Sequence, residues 1–191
     1  VSKKSRDQVR DPLKRGDSAF LLSVTEHLKP FLPAELVAAF LAPDVVLVPT
    51  PRRAPLPSKD ALWPGHLLAE ALVRGGLGAR VLPCLVRTEA VPKSAFAAPG
   101  ERPMPERHYA TMRVERELLE APRRITLVDD FVTKGATLIA AASRVKEAFP
   151  AADVRVFALV RTMGLIPDIE AIGAPCVGRI TFNGFDVDRQ P

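Results

Sequence analysis

The chain has 191 residues, 47% of them hydrophobic and 26% charged, with 27 Lys+Arg against 22 Asp+Glu for a net charge of +5. This length fits one domain with at most a small appendage, and the composition excludes disordered and fibrous classes. No apolar run reaches the roughly 18 residues of a membrane span, and the first ten residues lack the apolar core of a secretory leader.

In chain order, residues 1–15 hold Lys3, Lys4, Arg6, Arg10, Lys14 and Arg15 against Asp7 and Asp11, which accounts for +4 of the +5. The body is therefore nearly neutral. Residues 1–17 are expected as a solvated, flexible basic arm ahead of a single domain over residues 18–191. Nucleic-acid contact through this arm is the one partner that the basic balance suggests. Apolar spacing predicts helices across residues 18–40, divided by Pro30 and Pro33. Residues 44–48 read as a short buried strand stopped by Pro49-Thr50-Pro51. A loop follows. A helix is then expected from Pro64 to Arg74, with Gly75-Gly76 ending it.

Residues 80–87 are a strand candidate. Residues 88–112, with four prolines, read as a long flexible loop of the kind that serves function. Residues 114–119 fit either a strand edge or a helical turn. A β-branched strand at 124–128, a helix from 136 to 149 and a strand at 153–160 make a βαβ unit. The fold class is therefore α/β, a parallel twisted sheet flanked by helices. The two cysteines, Cys84 and Cys176, sit in apolar company without metal-ligand spacing. They read as core residues suited to a reducing cytosol, so a cytoplasmic location is expected.

The chemistry concentrates in Ile125-Thr-Leu-Val-Asp129-Asp130-Phe-Val-Thr133-Lys134-Gly135-Ala136-Thr137-Leu138. A hydrophobic strand delivers two carboxylates to its C-terminal end, the edge at which open α/β sheets bind ligands. Thr133, Lys134, Gly135, Ala136 and Thr137 then open a helix, whose free N–H groups and hydroxyls can cradle an anion. Acids beside such a cradle suit a sugar phosphate. A plain helix cap needs only one Asp. The P-loop pattern is absent, Arg74-Gly-Gly-Leu-Gly78 follows a helix and reads as its stop, and a phosphoaspartyl motif would want Asp where Phe131 stands.

Residues 125–138 resemble the PRPP-binding signature of type I phosphoribosyltransferases. Val45-Val-Leu-Val-Pro-Thr-Pro51-Arg-Arg, residues 62–72 and residues 85–109 are similar to the ComF-type branch, whose zinc-binding N-terminus has no counterpart here. The resemblance implies transfer of ribose 5-phosphate between PRPP and a nitrogenous base, with PRPP and a nucleobase or nucleotide as the bound partners. Pyrophosphate is the leaving group, and Mg²⁺ rides on the pyrophosphate and ribose hydroxyls rather than on protein ligands.

The resemblance also implies residue roles. Asp129 and Asp130 would be catalytic at the ribose hydroxyls, residues 133–137 would hold the 5′-phosphate, and Arg52 and Arg53 the pyrophosphate. Lys93, Arg102 or Arg107 would approach from the flexible loop. A small hood from the chain ends, with Phe182 or Phe185 stacking on the base, and a homodimer are further expectations. Lys134 stands where the family often has Thr; it can add a phosphate contact or point to solvent. Trp63 reads as packing at a helix start, and His66 as an ordinary surface or packing residue. His108, inside the loop, can reach substrate without being required to. The alternative function is a non-catalytic PRPP- or nucleotide-binding regulator associated with nucleic acid.

Overall fold

The computed structural model describes residues 6–58, 60–92, 103–115, 121–162 and 174–190. A π-helical turn, Arg6–Arg10, leads into helix α1 (Asp11–Arg15) and then α2 (Ser18–Leu28). The Asp17 side chain caps α2 by accepting from the Phe20 amide at 2.9 Å. Pro30 and Pro33 interrupt the helical run as expected, leaving a 3₁₀ turn (Lys29–Phe31) before α3 (Ala34–Phe40).

Strand β1 (Val46–Pro49) is buried throughout. Helix α4 (Pro64–Arg74) starts on proline, whose missing N–H costs nothing in a first turn. There follow β2 (Arg80–Val81), β3 (Leu85–Arg87), α5 (Pro105–Ala110), β4 (Met112–Val114), β5 (Arg124–Val132), α6 (Ala136–Ala148), β6 (Asp153–Arg161), β7 (Arg179–Phe182) and β8 (Val187–Gln190).

Four strands make one parallel sheet in the order β2-β1-β5-β6. The protein is thus α/β, a parallel sheet flanked by helices. On one face Leu13, Leu21, Leu68 and Leu72 of α1, α2 and α4 pack on Leu47 and Val128. On the other, Ala141, Val145 and Phe149 pack on Ile125 and Leu127. Each fully buried leucine contributes about 2 kcal/mol. The antiparallel pairs β3–β4 and β7–β8 lie outside the main sheet.

Several expectations change. Residues 80–87 do not form one strand. Pro83 has no N–H to donate, so the chain leaves the sheet after Leu82, whose amide reaches Leu47 O at 2.8 Å. It joins β4 from Cys84, whose carbonyl accepts from Glu115. The segment expected as a flexible loop is tied down at both ends: Val91 donates to Arg53 O at 2.8 Å near its start, and α5 packs against α6 near its end, residues 93–102 lying outside the described residues. Packing also begins before residue 18, because Leu13 is fully buried. Cys84 is buried, and burial pushes its thiol up to about 11, whereas Cys176 is exposed beside Arg161 rather than in the core. Among the described residues no helix is long and apolar enough to cross a membrane.

Candidate functional site

The helices after β1 and β5 lie on opposite faces of the sheet, so the neighbouring C-terminal ends of these two strands open a crevice. This is the topological switch point at which ligands of parallel sheets bind. Thr50 closes the floor: its amide donates to Val128 O at 2.9 Å, and its carbonyl accepts from Trp63 Nε1 at 2.7 Å. Trp63 stacks on His66, with ring centroids 5.4 Å apart, so both act as packing groups at the start of α4.

Asp129 and Asp130 lie inside β5, which runs four residues beyond its expected end because Phe131 and Val132 keep register with β6. The two acids engage different neighbours. The Thr50 hydroxyl sits between Val128 O and the Asp129 carboxylate. Burial, then the adjacent Asp130 charge, holds the Asp129 carboxyl well above the usual carboxylate range, against the opposing pull of Thr50 and Lys14. Asp130 is buried and accepts from Lys14 Nζ of α1 at 2.5 Å, while the same ammonium lies 5.2 Å from the Phe131 ring centre.

The Thr-Lys-Gly-Ala-Thr segment turns into α6 as expected. Gly135 stands at the helix N-cap with φ +101°, and a Cβ there would lie 2.6 Å from Ile180 Cδ1 of β7, so only glycine fits. The hairpin β7–β8 therefore rests on the phosphate-loop candidate. Lys134 takes up an ion pair with it: Nζ donates to both Asp186 carboxylate oxygens at 2.7 Å, which holds the Asp186 carboxyl below its usual range. Thr133 is exposed, and Ala136 and Thr137 are half-buried.

Arg52 and Arg53 are exposed on the turn after β1. Arg107 pairs with Glu89 at 3.3 Å. Lys93 and Arg102 lie outside the described residues. Phe185 caps the turn of the β7–β8 hairpin at 90% exposure, and Phe182 is half-buried in β7. A cavity of about 190 Å³, walled by Arg52, Leu56, Trp63, Arg87, Arg113 and Glu115, borders the turn after β1.

The sequence reading missed Lys14, Thr50 and Asp186. It also missed a buried polar cluster of Arg87, His108 and Thr111 that reaches Thr137.

Among the described residues no group of three or more His, Cys, Asp or Glu is placed to hold a metal ion. Asp129 and Asp130 would meet a Mg²⁺ only through the hydroxyls and water it carries, not as an all-protein cage. No protein-family model matches the chain, and no curated protein matches it in sequence.

Proposed function

We propose that the protein is a phosphoribosyltransferase, moving ribose 5-phosphate between PRPP and a nitrogenous base with pyrophosphate as the leaving group. One observation carries this reading: a single strand–turn–helix unit presents paired carboxylates and a glycine-opened helix start together at the sheet's switch point. On this reading the 5′-phosphate lies against the free amides at the start of α6. Asp129 and Asp130 accept from the ribose hydroxyls and stabilise the positive charge that develops at the anomeric carbon.

Arg52 and Arg53 face the departing pyrophosphate, and the hairpin carrying Phe182 and Phe185 serves as the hood over the base. Mg²⁺ bound to the pyrophosphate and ribose hydroxyls would offset the leaving group's charge. Ligand entry replaces Lys14 at Asp130.

The test is pyrophosphate release from PRPP and Mg²⁺ across a panel of nucleobases, with Asp130→Asn abolishing it. PRPP binding with no turnover on any base overturns the enzyme reading. It favours instead the regulator, which has its own support: Lys14 of the basic segment and Asp186 of the hairpin already satisfy Asp130 and Lys134. The regulator further requires nucleic-acid binding that weakens with salt.

A further inference from the structure

Arg87 ends β3 only 6% exposed, and among the described residues none of its hydrogen-bond partners is a carboxylate. Nε donates to Arg52 O at 3.0 Å, and Nη1 donates to His108 O at 3.2 Å and to Thr111 Oγ1 at 2.7 Å. Nη2 lies 3.3 Å from His108 Nδ1. A guanidinium is a donor only, so the imidazole nitrogen facing it has to accept. The one proton of the neutral ring is thereby assigned to Nε2, which faces Thr137 Oγ1 at 3.5 Å. Among the described residues nothing accepts the Thr137 proton. Thr137 is the second residue of α6, where the backbone amides point at the anion cradle.

We propose that Arg87 and His108 are positioning residues of the phosphate loop, fixing the Thr137 hydroxyl as a hydrogen-bond donor to a bound phosphate monoester. The inference rests on the phosphoribosyl reading above, and it adds a residue pair which that reading does not contain. The ring stays neutral because burial, then the Arg87 charge, pushes the His108 pKa down to about 4.

Several charged groups on the elements around His108 are engaged elsewhere, and Glu106 of α5 is exposed. Arg107 of α5 pairs with Glu89, Arg113 of β4 pairs with Glu115, and Arg144 and Glu147 of α6 hold Tyr109. A buried guanidinium without a carboxylate is costly, and a phosphate in the adjoining loop supplies the missing negative charge.

Calorimetric titration with ribose 5-phosphate and with PRPP tests this. His108→Phe and Thr137→Val are each expected to weaken binding about five- to tenfold, the worth of one hydrogen bond. The double variant is expected to bind no more weakly than Thr137→Val alone. His108→Gln, whose amide can accept from Arg87 and donate to Thr137, should recover most of the loss. Long-range proton–nitrogen NMR should show the Nε2–H tautomer in the unmodified protein.

Unchanged affinity in His108→Phe, additive losses in the double variant, or an Nδ1–H tautomer would overturn the inference while leaving the phosphoribosyl reading intact. If the unmodified protein binds neither probe, both fall. Should His108→Phe fail to fold, the tautomer together with Thr137→Val against Thr137→Ser decides, the serine variant being expected to keep its affinity.

Discussion

Thr126, in the middle of β5, is 1% exposed, and among the described residues its hydroxyl has no partner. Valine matches its shape without the desolvated oxygen, so Thr126→Val is expected to raise stability by about 1 kcal/mol, read from urea unfolding. The contrast with Asp130 is instructive: there the buried polar group has an ammonium on it. Residue by residue, the acid pair was legible because two carboxylates after a β-branched run are unusual in any structural role. The burial of Arg87 was not. An arginine after Leu85 and Val86 reads the same solvated or enclosed, and its partners Arg52, His108 and Thr111 lie at least 21 positions away. Pairings such as Lys134 with Asp186, 52 positions apart, are set through space by the same kind of long-range packing.

At the scale of elements, local signals were the trustworthy ones. Pro64 and Gly75 bracket α4 as expected, because a proline start and a glycine stop act within one turn. Strand ends depend on a neighbour. β5 outruns its expected end since β6 is long enough to keep pairing with it as far as Val132. The start of α6 combines both kinds of constraint: Gly135 needs φ +101°, and Ile180 from a distant hairpin fills the space above it. Gly135→Ala is therefore expected to cost about 1–3 kcal/mol of stability, measured by thermal unfolding. Adding Ile180→Ala should restore only the steric part.

For the whole molecule, the order of elements along the chain was enough to place a parallel sheet between helices, since a strand–helix–strand connection leaves few alternatives. Where the domain begins was hidden by charge. The basic residues around position 13 suggest solvent, yet Leu13 enters the core with Leu21, Leu68 and Leu72. Leu13→Ala is accordingly expected to lower global stability by about 2–5 kcal/mol in urea unfolding, as for other enclosed leucines. A leucine on a solvated arm would leave it unchanged.

The extension of β5 through its two acids has one more consequence. Asp129 is opposite Ala158 and Phe131 opposite Val160, at the same offset that aligns Arg124 with Asp153, while pairing with β1 on the other side ends at Val128. The carboxylates are thus mounted on a strand still paired with β6, not on a turn. The backbone entropy lost when a ligand docks falls on the residues around it, the turns after Thr50 and before Ala136, and not on the strand. On the proposed function the acids are a wall of the crevice that is already in place before a ligand arrives.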